Sequence, residues 1–311
     1  MQTAILTQTR KIDLGYRVLR ISAVVASVLP MRLGYFLAEC GGYALFLLSA
    51  RRRSIIRNNI KRVSGVEPGK SRVQRRVCGV FKNSLKNYFD LTRLSQFRFQ
   101  NLEGSVTIEG WHHLAKAVTE GKGTIIASAH LGNFEVAAQV LAARGIKMAI
   151  IVEAFDTTPF LRSIAELRQR NGCRILPVSM GAMKDSLQTL RRGGAVVIVC
   201  DRDVQGSGVS IKFFGEETPL PSGAVSLALR TGASIVPVFS VRKSNNRFAI
   251  YIEPPLRLVG TGNRRHIVKA NMESLAAIME RYIRQYPEQW VVLEPIWCNQ
   301  VTEFNSTQYI D

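Results

Sequence analysis

Thr124-Ile-Ile-Ala-Ser-Ala-His-Leu-Gly-Asn-Phe-Glu135 reads as a buried strand over 124–127, a short turn, and a helix from about 133 to 143. His130 falls where the strand ends, and Glu135 falls in the first turn of the helix. Inside one helix, this spacing would turn the two side chains apart, because neighbours on one face lie three or four residues apart. With the histidine just outside the helix, the two can converge. A carboxylate can then orient the imidazole and hold its tautomer, as a general base requires. Gly132 and the free N–H groups of the first helical turn are candidate donors for developing negative charge. The competing reading of a lone histidine at a strand end is a hydrogen-bonded structural residue.

Outward from this stretch, short β-rich runs alternate with helical ones. Strands are expected at 124–127, 148–152, 174–178, 195–200, 234–241 and 248–252, with helices near 133–144, 158–171, 181–192 and 221–231. Such alternation implies an α/β fold with a largely parallel central sheet flanked by helices. Ligands of such sheets bind off the carboxyl ends of strands. His130 lies at such an end, and so does Cys200-Asp-Arg-Asp203, directly after the apolar run Ala195-Val-Val-Ile-Val199. Asp201 or Asp203 is therefore a candidate second carboxylate of the same site. The plain alternative is a solvated loop with a local ion pair. Glu166-Leu-Arg-Gln-Arg-Asn-Gly172 reads as a helix end capped by glycine. Basic residues suit such an end for dipole reasons, and a forked guanidinium there also suits a phosphate.

The first third of the chain has a different character. The 311 residues carry a net charge of +19, and residues 1–100 hold 19 Lys and Arg against 4 Asp and Glu. A surface of that sign meets membrane lipid, an acidic protein or nucleic acid. Residues 21–30 and 34–50 are apolar, with Arg32 between them and Glu39 inside the second run. Neither run reaches the ~18–20 uninterrupted apolar residues of a strong spanning helix. They read as a segment dipped into one leaflet rather than as two buried helices. The reason is the basic stretch that follows, Arg51-Arg-Arg-Ser-Ile-Ile-Arg-Asn-Asn-Ile-Lys-Arg-Val63. At helical spacing, Arg53, Arg57 and Lys61 share one side while Ile56, Ile60 and Val63 share another, which suits an anionic, cytoplasmic-side leaflet. A further helix is expected over 73–93. No cleavable signal is evident. The expected division is a helical, membrane-associating region (1–100), an α/β domain (101–300) and a polar tail (301–311). Five scattered cysteines with no C-x-x-C pair suggest neither a zinc site nor a disulfide framework and suit a reducing cytoplasm.

His130-Leu-Gly-Asn-Phe-Glu135 matches the H-x4-D/E motif of glycerolipid acyltransferases. Within that superfamily the chain resembles the bacterial late acyltransferases of lipid A biosynthesis, the lauroyl and myristoyl transferases, and the phosphatidylinositol mannoside acyltransferases. Further blocks agree in the same order over roughly residues 15–300. They are Arg168-x3-Gly172, Asp201-Arg-Asp203 with Phe213-Phe-Gly215, Leu229-Arg-Thr-Gly-Ala-Ser-Ile-Val-Pro-Val238, and Pro287-Glu-Gln-Trp290 with Trp297. The Asp-Arg-Asp stretch resembles the mannoside enzymes more closely, because the lipid A enzymes usually carry Gln or His in place of Arg202. The resemblance implies that His130 is the catalytic base, with Glu135 its acidic motif partner and Asp201 a further functional carboxylate. It also implies that Arg168 is the family's functional arginine, with Arg202 and Asp203 as substrate-binding candidates.

The implied reaction moves an acyl chain from a thioester, acyl-CoA or acyl-ACP, to a hydroxyl of a glycolipid at the cytoplasmic face of the plasma membrane. The thioester is a co-substrate; no cofactor or metal cluster is expected, and no nucleic-acid partner. No Ser or Cys stands in a G-x-S-x-G elbow, so a covalent acyl-enzyme is not required. Cys200, beside the site, ends a buried strand and reads as core. Two other readings compete. A lysophospholipid acyltransferase lacks support from any Phe-Pro-Glu-Gly-Thr-Arg-like block. A basic, non-catalytic protein binding membrane or nucleic acid would account for the charge, but no recognised nucleic-acid module is present.

Overall fold

The computed structural model describes residues 25, 28–65, 69–93, 106–152, 173–177 and 180–297. Its centre is a seven-stranded sheet in the order β1-β9-β8-β2-β5-β3-β4. The strands are β1 (Val106–Glu109), β2 (Thr124–Ser128), β3 (Met148–Val152), β4 (Cys173–Pro177), β5 (Ala195–Val199), β8 (Ser234–Arg242) and β9 (Phe248–Ile252). All neighbours run parallel except β8 and β9. The expected largely parallel sheet is therefore present. The expected helix at 158–171 lies outside the described residues.

β2 sits between β5 and β8, with Thr124 opposite both Ala195 and Ser234, and all of its residues are buried. A strand covered on both faces needs no polar alternation, which is why it reads as a continuous apolar run. Successive side chains serve different cores. Ile125 and Ala127 join the cluster under α6 (Met180–Arg191), α7 (Gly223–Thr231) and α8 (Arg264–Gln285). Ile126 joins the cluster under α4 (Trp111–Thr119) and α5 (Phe134–Ala143). A hairpin of β6 (Val209–Phe213) and β7 (Glu216–Leu220) stands apart from the sheet. Its two-residue turn is Phe214-Gly215, both at positive φ (53° and 86°), the backbone that a tight hairpin favours.

Before the sheet come α1 (Met31–Leu48), α2 (Ala50–Ser64) and α3 (Lys70–Arg93). α1 lies closely on α3: a Cβ at Gly42 would come 2.6 Å from the Lys82 Cα, so only glycine fits that crossing. Tyr35, Ala38 and Phe89 form one small core there, and Phe46, Ile56, Ile60, Val73, Val77, Val80 and Phe81 another. Glu39, inside the apolar run, is tolerated because Lys86 meets it at 2.5 Å. α1 and α2 meet at a 99° bend, and among the described residues no single helix is long and apolar enough to cross a membrane. The outward side of α1 carries Leu33, Phe36, Leu37, Tyr43, Leu47 and Leu48, exposed by 44% to 81%. With the exposed Cys40 and Ala44 between Leu37 and Leu47, these positions repeat at three and four residues and form one continuous apolar stripe facing away from the protein.

Candidate active site

β2 and β5 are adjacent and parallel, so the residues just past their carboxyl ends meet. Cys200 N–H donates to the Ser128 carbonyl at 2.8 Å and carries the pairing one step beyond the strands. There His130 Nδ1 lies 2.8 Å from Asp201 Oδ1, and the His130 N–H donates to Asp201 Oδ2 at 3.0 Å. Trp290 Nε1 donates to the same Oδ2 at 2.7 Å. Asp201 is wholly buried, while a quarter of the His130 side chain is exposed. Burial alone would push the Asp201 carboxyl up. The imidazole charge and the hydrogen bonds from His130 and Trp290 outweigh it and hold the group below the usual carboxylate range.

A carboxylate at Nδ1 places the ring proton there and leaves the Nε2 lone pair outward. Nε2 makes no hydrogen bond among the described residues. This arrangement can accept a proton from a hydroxyl brought to Nε2 and stabilise the resulting imidazolium.

The loop between His130 and α5 is fixed from behind. Asn133 caps α5, accepting from Val136 N–H at 3.3 Å, and its Nδ2 donates to Asp90 at 2.7 Å. Asp90, fully buried on α3, also accepts from the Tyr35 hydroxyl of α1 at 2.6 Å and pairs with Arg242 of β8. Asn87 donates to the Gly132 carbonyl at 2.5 Å and accepts from Arg242 at 3.0 Å. From the front, the C-terminal segment crosses the loop: Gly132 N–H donates to Gln289 O (2.8 Å), and Val291 N–H donates to His130 O (2.9 Å). Gln289 itself pairs with both backbone groups of Arg242.

Gly132 is at φ +60°, and a Cβ there would fall 1.8 Å from the Ser240 carbonyl oxygen. Its N–H is already bonded to Gln289, which corrects the expectation that it would support negative charge at the reacting centre. The helix and strand boundaries that put His130 outside α5 agree with the expectation. The carboxylate bonded to the imidazole, however, is Asp201 from β5. Glu135 is buried (7% exposed) in the first turn of α5, where a helix dipole favours a carboxylate. Arg202 pairs with Glu294. Asp203 accepts from the N–H groups of Gln205 (3.2 Å) and Gly208 (2.7 Å), so its carboxylate shapes its own loop. Arg168 lies outside the described residues. Cys200 is fully buried, and burial, with a smaller contribution from Asp201, pushes its thiol up to about 12. Among the described residues, no three His, Cys, Asp or Glu side chains cluster as a metal site needs.

Sequence reasoning missed the partners of the loop: Trp290, Gln289, Asp90, Asn87 and Arg242. Gln289 and Trp290 carried a signal, as part of the Pro287-Glu-Gln-Trp290 block; Asp90, Asn87 and Arg242 carried none. Its neighbourhood joins the other blocks in space, with Phe213, Phe214, Trp290 and Trp297 in mutual ring contact at 4.6 to 6.4 Å.

The chain is similar to known proteins over most of its length. It is 26% identical over 258 residues to the phosphatidylinositol mannoside acyltransferases of two strains of Mycobacterium tuberculosis (CDC 1551 / Oshkosh and ATCC 25618 / H37Rv). Those matches cover 81% of this chain and 79% of each relative. It is 27% identical over 194 residues to the phosphatidylinositol mannoside acyltransferase of Mycolicibacterium smegmatis, covering 61% of this chain and 62% of that one. The family model described as bacterial lipid A biosynthesis acyltransferase matches residues 9–299. With that match, the chain belongs to the bacterial lipid A biosynthesis acyltransferase family and is an acyltransferase.

Proposed function

We propose that the enzyme moves a fatty acyl chain from a thioester of CoA or acyl carrier protein to a hydroxyl of a membrane glycolipid, with His130 as general base. The observation that carries this reading is the His130–Asp201 contact of 2.8 Å, made on Nδ1, which leaves Nε2 as the ring nitrogen to take a proton. Nε2 takes the proton of the acceptor hydroxyl as its oxygen attacks the thioester carbonyl carbon. The C–S bond breaks, an ester forms, and the thiolate leaves with the electron pair. The imidazolium then returns its proton to the thiolate. Asp201 stabilises the imidazolium between these transfers, and the proton transfer by His130 contributes about 10²–10⁴-fold in rate, as general-base catalysis does. Glu135, buried in the first turn of α5, is assigned as the acidic motif partner of His130. Arg168, Arg202 and Asp203 are assigned to substrate binding, Asp203 indirectly through the 203–208 loop.

The acceptor class follows from the relatives, which are named for phosphatidylinositol mannoside. The apolar stripe of α1 supports docking on a membrane surface, which this reading puts at the cytoplasmic face of the plasma membrane, and the basic α2 supports an anionic leaflet. The test is an assay of purified enzyme with vesicles containing the glycolipid and either palmitoyl-CoA or palmitoyl-ACP, read by mass spectrometry. A product heavier by one acyl chain on the sugar-bearing lipid is expected. Acylation of lysophospholipid alone would favour the lysophospholipid acyltransferase reading, and no product with either donor would refute both.

A further inference from the structure

Between α2, α3 and the β6–β7 hairpin lies a groove of about 1000 Å³, lined by Arg57, Lys61, Arg62 and Lys70 with Phe214 and Glu216. Among the described residues that line it, Glu216 is the single acidic group, and that carboxylate is taken by Arg62 Nε at 2.7 Å. Lys61 and Lys70 make no ion pair or hydrogen bond among the described residues, and Arg57 has only a long contact of 3.4 Å to Gln74. Among the described residues, three cations thus face one concavity without a counter-charge. A cleft lined by one sign of charge focuses its field and concentrates the opposite ion. Asn58, Ser71 and Gln74 add neutral hydrogen-bonding groups to the same walls.

Arg57 and Lys61 lie four apart on α2, so they project from one face of that helix, and Lys70 faces them from the start of α3. Arginine matches phosphate oxygens with a fork and lysine binds them as a point charge. The groove is at the upper end of the ~300–1,000 Å³ typical of small-molecule sites, larger than a bare phosphate needs. We propose that this groove is a second binding site, which takes a phosphate ester carrying a sugar or nucleoside, with Arg57, Lys61 and Lys70 on the phosphate. Two sources present that chemistry: the headgroup of an anionic phospholipid and the nucleotide end of a soluble thioester carrier. The groove is separated from the catalytic centre by aromatic rings. Phe214, in its wall, lies 6.2 Å from Trp290, whose indole N–H is bonded to Asp201.

The test reads binding without turnover, so its outcome is independent of the proposed acyl transfer. The full chain is titrated with adenosine 3′,5′-bisphosphate by calorimetry. Separately, it is sedimented with phosphatidylcholine vesicles containing phosphatidylinositol. Lys61→Glu with Lys70→Glu is compared with Arg72→Glu with Arg75→Glu, the latter pair being exposed on α3 outside the groove. The neutral pair Lys61→Gln with Lys70→Gln checks that lost binding is not repulsion alone. The groove variants should weaken at least one probe tenfold or more, and the control pair less than threefold. Loss confined to vesicles identifies the headgroup as the source, and loss confined to the bisphosphate identifies the soluble carrier. No binding of either probe by the unaltered protein, or equal losses from groove and control pairs, would overturn the site.

Discussion

Asp90→Asn removes the negative charge at the centre of the network behind the His130 loop. Asp90 is fully buried and its partner Arg242 is 4% exposed at the side chain. Among the described residues, Arg242 Nε and Nη1 have no hydrogen-bond partner, and the guanidinium lies over the rings of Tyr35 (5.2 Å) and Phe248 (4.7 Å). Asp90 is therefore its counter-ion among the described residues. Removing one member of such a pair costs about 3–5 kcal/mol, because the other charge stays buried without compensation. Asparagine also keeps one acceptor oxygen where the carboxylate served three donors: Tyr35, Asn133 and Arg242. At roughly 2 °C per kcal/mol for a chain of this size, the midpoint of thermal unfolding should fall by about 6–10 °C. Adding Arg242→Met to Asp90→Asn should recover part of that loss, since the uncharged pair leaves no stranded charge. Thermal unfolding of the two single variants and the double variant provides the measurement. A midpoint within 2 °C of the parent for Asp90→Asn, or a double variant less stable than the sum of the singles, would refute the reasoning.

Cys200→Ser should keep transfer within a few-fold of the parent, because the buried thiol is pushed up to about 12 and carries no nucleophile at neutral pH; an acyl group trapped on Cys200 would contradict this. Gly132→Ala should lose most activity while the body of the protein stays folded, since its Cβ would strike the Ser240 carbonyl at 1.8 Å and move the loop that carries His130; normal kinetics would show that the loop position does not matter. Phe36→Asp with Leu47→Asp should lower partition onto vesicles at least tenfold without changing stability, because the two side chains are 62% and 54% exposed. Their contribution is apolar, so the difference should persist in high salt, where electrostatic attraction is screened; co-sedimentation equal to the parent would remove α1 from the docking surface.

The parts of the fold legible in the sequence are those where burial is complete. β2 and β5 are covered on both faces and show as uninterrupted apolar runs. β1, with alternate residues half-buried and exposed over four positions, is too short to stand out. The β6–β7 hairpin leaves no strand signal in the sequence, because its strands mix Ser, Lys, Glu and Thr with apolar residues and its turn residue Phe214 adopts a positive φ that favours glycine. α8 was missed although Val268, Met272, Leu275, Ala276, Met279, Tyr282 and Ile283 keep helical spacing, because polar residues dominate between them. His130 and Asp201 were legible as strand-end residues, and the resemblance drew them together. The order of the sheet, which makes β2 and β5 neighbours, was not. Asp90 and Arg242 sit 152 positions apart, and no local pattern links residues that far apart.

The central claim is that His130 removes the acceptor's proton. The direct measurement is the single-turnover rate of acyl transfer by His130→Ala on membranes, beside the parent and with thermal unfolding as a control for folding. The account predicts a loss of at least ~100-fold in rate, the low end for removing a general base, in a variant that remains folded because Asp201 Oδ2 keeps its bonds from the backbone N–H at position 130 and from Trp290 Nε1. Transfer at a rate near that of the parent, in a variant that remains folded, would contradict it.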